Sequence, residues 1–294
     1  MDSDTLFLFT NEGIIKSTFD ESFSQQVYSF GSDGEVISAT FLQQTIWAGL
    51  LDGNGTRVIK STDNGNSWAP VDTIANRWFR KIRFVNQNRG FASAEVSGSP
   101  SLELYVTTDG GNEWNRIDPL LADEELFQMI DEDTGYFVSD SRQLEKTDDG
   151  FQSLNTVTGP GRVITSFYFL DAQAGYATYV ETSDPSIGGV IKTTDGGNSW
   201  ETVSTSVSRI VHFSDQQNGL VVRDIRRCFV RSDGVERTLT GLFQTTDGGE
   251  TWTGSENEGL YAFSRVQRFS NDRIFVRFRM NFQTLPLVGI EFNP

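Results

Sequence analysis

Short apolar runs alternate with polar turns along nearly the whole chain. Apolar runs at 82–84, 167–169 and 211–213 each lead into a turn that opens with Asn or Asp and closes with Gly. Four such turns occur, at residues 86–90, 131–135, 171–175 and 215–219. Turns of this composition between apolar runs are typical of β-hairpins, and no stretch shows the spacing of a long amphipathic helix. The pattern therefore predicts an all-β fold.

A second motif marks a repeat of the whole pattern. Its clearest copy is residues 192–200, Lys-Thr-Thr-Asp-Gly-Gly-Asn-Ser-Trp. Good copies lie at 60–68, 107–114 and 245–252, and worn copies at 146–154 and 16–23. The aspartates taken as register marks are Asp63, Asp109, Asp148, Asp195 and Asp247. Their steps of 46, 39, 47 and 52 residues match one four-stranded propeller blade, which takes roughly 40–50 residues.

Each copy reads as a tight turn between two strands. Aspartate can accept hydrogen bonds from backbone N–H groups a few residues on, and the glycines tolerate positive φ. We expect Trp68, Trp114, Trp200 and Trp252 to pack over these turns. Catalytic or calcium-binding aspartates are the alternative. Because the group recurs five times around the fold, it cannot be the unique centre of one active site, and the turn role is favoured.

Each repeat unit reads as strand, Asx-Gly turn, strand, loop, strand, aspartate turn, strand. Repeated units of this kind predict a β-propeller of four-stranded antiparallel blades. The chain offers about 26 strands, between the roughly 24 of six blades and 28 of seven. We favour seven, with six possible. The prediction is a single domain over residues 1–294, closed by pairing of the N- and C-terminal strands, which removes open sheet edges.

The composition limits the classes of partner and site. The 294 residues include 23 Phe, enough for a large core, and the net charge of −16 argues against a nucleic-acid partner. Cys228 is the one cysteine, so no internal disulfide can form. No apolar run is long enough to span a membrane. The start at Met1 is acidic, unlike a leader. We expect an exported monomer, periplasmic, lipid-anchored or on the cell surface, whose leader is absent from this sequence.

The sequence lacks catalytic and metal-binding motifs, so the arginines are the residues that best indicate a binding site. We find no Cys/His metal set, phosphate loop or nucleophile triad, and we predict no cofactor or metal. His212 is the single histidine and is expected to be a packed residue. Basic stretches interrupt the acidic background, and the stretch 223–237 reads as an extended hairpin. The candidate binding arginines are Arg80, Arg83, Arg209, Arg223, Arg226, Arg227, Arg265 and Arg268.

These arginines allow two interpretations. Several belong to the opening strand of a blade, so they could converge near the propeller axis. Guanidinium groups there would suit a carboxylate or another anion through bidentate bonds. Alternatively, they pair with acidic residues of neighbouring blades and only hold the ring together.

The repeated motif resembles the Asp-box, or bacterial neuraminidase repeat, Ser/Thr-x-Asp-x-Gly-x-Ser/Thr-Trp. The combination with the Asx-Gly turns is most similar to the photosystem II stability/assembly factor family. This resemblance implies a non-catalytic seven-bladed propeller that binds another protein, with an arginine patch contacting an acidic or carboxylate-bearing segment. The alternatives are a sialidase-type glycoside hydrolase and a carbohydrate-binding or adhesion propeller. The Arg-Ile-Pro element usual in bacterial sialidases is missing.

Overall fold

The computed structural model describes residues 5–9, 13–18, 24–29, 35–52, 55–75, 77–95, 98, 101–123, 126–159, 161–230, 236–255, 262–270, 273–280, 283–284 and 288–291. Side chains are described mainly within 36–223 and 241–254. The described residues form 27 strands and no helix, which confirms the predicted all-β class. Accordingly, none of them belongs to a helix long and apolar enough to cross a membrane.

The chain divides into two compact units, one of Met1–Ser141 with Lys146–Leu154, the other of Arg142–Glu145 with Asn155–Pro294. The first unit holds three complete sheets. One sheet is β1 (Thr5–Phe9), β2 (Gly13–Thr18) and β3 (Ser24–Ser29). The next is β4 (Glu35–Leu42), β5 (Thr45–Asp52), β6 (Gly55–Ser61) and β7 (Ala69–Ala75). The third is β8 (Phe79–Phe84), β9 (Gly90–Glu95), β10 (Leu102–Thr107) and β11 (Asn115–Leu121).

The unit boundary falls within the fourth sheet, and three sheets follow it. The fourth is β12 (Phe127–Met129), β13 (Gly135–Val138), β14 (Leu144–Thr147) and β15 (Asn155–Thr156). The fifth is β16 (Arg162–Phe169), β17 (Gly175–Glu181), β18 (Gly188–Thr193) and β19 (Glu201–Ser204). The sixth is β20 (Ser208–Phe213), β21 (Gly219–Val230), β22 (Glu236–Thr245) and β23 (Thr253–Ser255). The last is β24 (Ala262–Ser270), β25 (Arg273–Met280), β26 (Gln283–Thr284) and β27 (Val288–Glu291).

Strand order follows chain order in each sheet, as expected for antiparallel strands joined by hairpins. The last strand differs, since β27 pairs with β25 in the same sheet as β24. Among the pairings of the described strands, none joins the N-terminal sheet to the C-terminal one. The predicted closure through terminal strands is thus not seen in these pairings and stays a prediction.

Within each unit, apolar side chains of neighbouring sheets pack against one another. In the first unit, Trp47 of β5 stacks on Phe84 of β8, with ring centroids 4.0 Å apart. The hydroxyl of Thr40 donates to the carbonyl of Ile82 at 3.1 Å, which ties β4 to the edge strand β8. Within the second unit, Tyr176 of β17 stacks on Phe213 of β20 at 3.4 Å. The sequence therefore uses the same large aromatic contact twice to join successive sheets.

The described residues of the stretch 223–237 belong to a long antiparallel hairpin, as predicted. The strands β21 and β22 are longer than any other pair, and their pairing runs from Gly219 opposite Thr245 to Val230 opposite Glu236. The ladder shifts register between Ile225 and Phe229.

Candidate functional site

The repeated aspartates lie in turns and are hydrogen-bonded by their own loops. In residues 192–200, the hydroxyl of Thr193 donates to Asp195 Oδ1 at 2.8 Å and accepts from the Gly197 N–H at 2.9 Å. The Ser199 backbone N–H donates to Asp195 Oδ1 at 2.9 Å, and its hydroxyl donates to Oδ2 at 2.6 Å. Asp63, Asp109 and Asp247 occupy the same position in their copies. Both carboxylate oxygens are thus engaged wherever a hydroxyl follows four residues later.

These bonds keep the carboxylates ionised. Hydrogen bonds from Ser199, first through its hydroxyl and then through its N–H, lower the pKa of Asp195 to about 2. The equivalent bonds from Ser67 and Thr251 lower the pKa of Asp63 and Asp247 to about 2 as well. For Asp109, partial burial opposes the shift, but hydrogen bonds led by the Glu113 N–H still lower the pKa.

One register mark from the sequence is wrong by one residue. In the worn copy at 146–154, the hydroxyls of Thr147 and Ser153 donate to Asp149, at 3.0 and 2.6 Å, and not to Asp148. Asp148 instead pairs with Lys146 at 2.9 Å. The reason is that the capping hydroxyl precedes the aspartate by two residues in every copy. With Asp149 as the mark, the steps become 46, 40, 46 and 52 residues.

The worn copy replaces its lost tryptophan with a different aromatic residue. Phe151 stands at the position of Gly197 in the intact copy and takes a positive φ of 76°. Its ring lies 5.6 Å from Phe91 and 5.9 Å from Phe137. A non-glycine residue at positive φ costs about 1 kcal/mol or more, and this aromatic packing offsets the cost.

The motif tryptophans lie beside the turns. Three of them share the same kind of hydrogen-bond acceptor, and the fourth has a different one. The indole N–H groups of Trp68, Trp114 and Trp252 donate to the carbonyls of Gly65, Gly111 and Gly249, at 3.2, 3.1 and 2.9 Å. Trp200 instead donates to the carbonyl of Val157 at 2.6 Å. The spacing of the motif indicated the indole's place but not this change of acceptor.

The sequence did not predict the backbone hydrogen bond that links the aspartate turn to the Asx-Gly turn of the same sheet. The N–H of Gly196 in the aspartate turn donates to the carbonyl of Gln173 in the Asx-Gly turn of the same sheet, at 2.8 Å. Gly110 and Gly248 repeat this bond with Asn88 and Gln217. The recurring glycine after the aspartate was the available signal, since a positive φ there aims the N–H at the neighbouring turn.

A lysine and an aromatic ring complete the junction to the next sheet. Lys60 lies 4.8 Å from the ring of Trp47, and Lys192 lies 5.6 Å from the ring of Tyr176. The Trp47 indole donates to the carbonyl of Gly110 at 3.0 Å. These cation–π contacts have a packing role, and the lysine that opens the motif was the signal for them.

The predicted arginines of β8 are exposed, and Arg80 forms an ion pair. Arg80 and Arg83 both lie on the solvent-facing side of the strand, between buried neighbours. Arg80 forms a salt bridge with Glu95 of the adjacent strand β9. Nearby, Arg77 donates to the hydroxyl of Tyr105 at 2.6 Å and lies 3.5 Å from Glu103. The alternative of acid pairing therefore applies to Arg80, although its partner belongs to the same sheet.

Register relates the remaining arginines of the first strands. β8 and β20 each carry a β-bulge, and Arg80 and Arg209 stand at the same bulged position. β24 carries its first bulge at Ser264, so Arg265 comes one place later and Arg268 three places after that. Arg209 is exposed. The side chains of Arg226, Arg227, Arg265 and Arg268 lie outside those that the structure describes, so their predicted convergence stays a prediction.

Arg223 differs from the arginines of β8. Its guanidinium carbon lies 4.3 Å from the ring of Phe243 and 5.5 Å from that of Trp252. One Nη donates to the Ser204 hydroxyl at a long 3.4 Å. Its Nε is buried without a hydrogen-bond acceptor. Burial lowers the pKa of Arg223, since no ionic contact with a described residue compensates for the lost water.

His212 is buried, as predicted for a packed residue. It is 6 % exposed, and its ring lies 4.2 Å from that of Tyr168. Within the part of the chain that the structure describes, no group of three or more His, Cys, Asp or Glu residues could hold a metal ion.

Comparison with known proteins relates the chain to one assembly factor. Over 210 residues it is 28 % identical to the photosystem II assembly lipoprotein Ycf48 of Synechococcus sp. (strain CC9902). The alignment covers 69 % of this chain and 56 % of that protein, so the chain spans little more than half the length of this relative. No protein-family profile matches the sequence. The predicted resemblance to photosystem II assembly factors is thus confirmed as a sequence similarity.

Solved structures give the fold. A structure of YCF48 bound to D1 peptide superimposes with a TM-score of 0.65 at 13 % identity, over 95 % of this chain and 88 % of that one. The GH74 enzyme of Niastella koreensis reaches a TM-score of 0.59 at 12 % identity, over 94 % of this chain and 56 % of that one. The chain has a β-propeller fold like that of YCF48, and the same fold also occurs in an enzyme.

Proposed function

We propose that the chain is a non-catalytic scaffold that binds another protein, as photosystem II assembly factors do. The observation that carries this proposal is the sequence similarity to Ycf48, joined to a fold match over 95 % of the chain with a YCF48 structure that holds a peptide. We further propose one ring of seven blades with Asp-box turns. The seven sheets and the hydroxyl–aspartate bonds of the turns support it.

The lowered pKa of the repeated aspartates favours a binding function over glycoside hydrolysis. A glycosidase needs a carboxylic acid whose pKa is raised, so that it can protonate the leaving group near neutral pH. The repeated aspartates have the opposite property, because the hydroxyls and N–H groups of their loops lower the pKa. They are therefore unsuited to act as general acids, and we propose that their work is structural.

The proposed contact surface for the partner includes the exposed arginines of the first strands. Arg80, Arg83 and Arg209 are all exposed at such positions. An acidic or carboxylate-bearing segment suits these groups, since guanidinium binds carboxylate with two parallel hydrogen bonds. The protein is strongly acidic as a whole, so an acidic partner would bind at these positions and be repelled elsewhere.

A direct binding measurement tests the proposal. The fluorescently labelled D1 peptide is titrated with the protein, and its anisotropy is compared with that of a scrambled peptide. We expect saturable binding that the double charge reversal Arg80→Glu/Arg83→Glu weakens at least tenfold. The matched control is Arg116→Glu on β11 of the same sheet. In parallel, the protein is incubated with xyloglucan and with sialyllactose, and we expect no released sugar. Cleavage of either sugar, or equal binding of both peptides, would contradict the proposed function.

The proposed location follows the same relative. Because Ycf48 of Synechococcus is a lipoprotein, we propose that this protein is exported and lipid-anchored. Fractionation of the native host should find it with membranes and release it with detergent. Recovery in the cytosolic fraction would refute this part of the proposal.

A further inference from the structure

Arg223 has the surroundings of an anion-binding group whose anion is missing. It lies four residues into β21, at the start of the extended hairpin. Its neighbours are Ser204 at the end of β19, Phe243 of β22 and Trp252, which directly precedes β23. Phe243 and Trp252 contact the guanidinium carbon at 4.3 and 5.5 Å. Ring contacts of this kind fix a guanidinium and favour its charge, but they accept few of its five N–H groups.

Three other arginines have their charge balanced by a glutamate. Arg77 and Arg116 both reach Glu103, at 3.5 and 3.1 Å, and Arg80 is bound to Glu95. Arg223 makes no salt bridge with any described residue. Its one hydrogen bond to a described residue is the long bond to Ser204, and its Nε is buried without an acceptor. A half-buried cation in this state gains more from an added anion than a cation that is already paired.

Arg89 provides a comparison within the same chain. Its Nε is also buried without an acceptor, and its guanidinium lies over a ring, that of Phe91, at 5.6 Å. However, it donates to the carbonyl of Gly150, and the Asp133 carboxylate lies beside the same glycine. An anion approaching Arg89 would therefore meet carbonyl and carboxylate oxygens, whereas Arg223 has a hydroxyl and two rings around it.

We propose that Arg223, held by Phe243, Trp252 and Ser204, is the residue that binds a carboxylate group of the partner. The inference rests on the proposed function, and it places the main anion contact on β21 rather than on the exposed arginines of β8. A carboxylate fits better than a phosphate because it carries a single charge. A dianion would be repelled more strongly by a protein with a net charge of −16.

The test uses acetate as a probe, so that it does not depend on a peptide. The full chain is labelled with ¹⁵N-arginine, and sodium acetate is titrated in at constant ionic strength, with sodium chloride as the balance. We expect the Nε–H resonance of Arg223 to shift and saturate in the millimolar range of acetate, while that of Arg89 does not. The Arg223→Lys variant identifies the resonance by its disappearance.

The outcomes separate the two proposals. A saturable shift of Arg223 supports the inference even if the D1 peptide does not bind, in which case the proposed function alone is wrong. The absence of a saturable shift, or an equal shift of Arg89, would overturn the inference. Phosphate replaces acetate in a second titration, and tighter binding of phosphate would also overturn it, since the site would then select another anion.

Where the peptide does bind, variants add a second readout. Arg223→Gln should weaken peptide binding at least tenfold, and Arg89→Gln should leave it within twofold. The loss should vanish for a peptide in which Gln and Asn replace Glu and Asp. If Arg223→Gln instead weakens both peptides equally, Arg223 has only a packing role.

Discussion

The sheets β8–β11 and β20–β23 use one framework for different purposes. Tyr105 and Phe243 stand at the same position of their third strands, and Trp114 and Trp252 end their aspartate turns. In the third sheet, β8–β11, the space against these rings holds Phe79, which lies 5.3 Å from each of Tyr105 and Trp114. In the sixth sheet, the residue matching Phe79 is Ser208, and the guanidinium of Arg223 contacts the rings instead.

This difference separates a position that stabilises the fold from one that can bind. Phe79 is fully buried and fills its space with apolar atoms, which contributes stability directly. Arg223 fills the matching space with a charge whose Nε lacks an acceptor, which costs stability. A position that departs from its repeat and lowers stability is a candidate for function, because the sheet β8–β11 fills the matching space with apolar atoms.

The largest expected effect is on the packed side of the comparison. Phe79→Ala should lower the free energy of unfolding by about 3–5 kcal/mol, because it removes a buried ring and leaves a cavity. Ser208→Ala, at the matching position, should change it by less than about 1 kcal/mol. Urea unfolding followed by tryptophan fluorescence measures both. Similar losses of stability for the two variants would show that Phe79 and Ser208 do not differ in how much they stabilise their sheets.

A smaller effect distinguishes the aspartate turns of the same two sheets. Asp247 receives both the hydroxyl and the N–H of Thr251, whereas Glu113 offers Asp109 only its N–H. Because these bonds lower the folded-state pKa of Asp247 from 3.8 to about 2, its contribution to stability is complete above pH 4. The contribution is lost as the pH falls towards 2. The destabilisation caused by Asp247→Asn should therefore shrink over that range.

The matched variant for this prediction is Glu113→Ser, which gives Asp109 the missing hydroxyl. NMR titration of the side-chain carboxyl carbons should find the pKa of Asp109 lowered further in this variant. An unchanged pKa would mean that the hydroxyl four residues after the aspartate does not cause the difference in pKa between Asp109 and Asp247.

Local and repeated features of the structure could be predicted from the sequence, whereas contacts between residues distant in the chain could not. The turn aspartates could be found because each is held by residues two and four places away. The choice of Asp148 over Asp149 failed because the two are adjacent, and only the capping hydroxyl of Thr147 distinguishes them. No local pattern could show that Phe151 replaces a tryptophan, since its partners Phe91 and Phe137 lie on other strands.

The candidate site shows the same limit. Arg80 and Arg223 look alike in sequence, as basic residues within basic stretches. Their difference is that Glu95 faces Arg80 across a strand pair, while rings and a hydroxyl surround Arg223. Charge balance of this kind depends on which strands pair and in which register, so it could not be predicted from the order of residues.

The smallest expected effect tests the charged side of the comparison directly. Arg223→Met keeps an unbranched side chain against Phe243 and Trp252 and removes the charge, so it converts the site towards the apolar packing around Phe79. Since no described carboxylate loses a partner, the free energy of unfolding should stay the same or rise by up to about 1 kcal/mol. Arg77→Met should instead lower it by about 1 kcal/mol, because the Tyr105 hydroxyl loses its donor and Glu103 one of its two cations. Urea unfolding of both variants measures the contrast. A clear loss of stability in Arg223→Met would mean that the guanidinium stabilises the fold. Its unbalanced charge would then not indicate an anion-binding role.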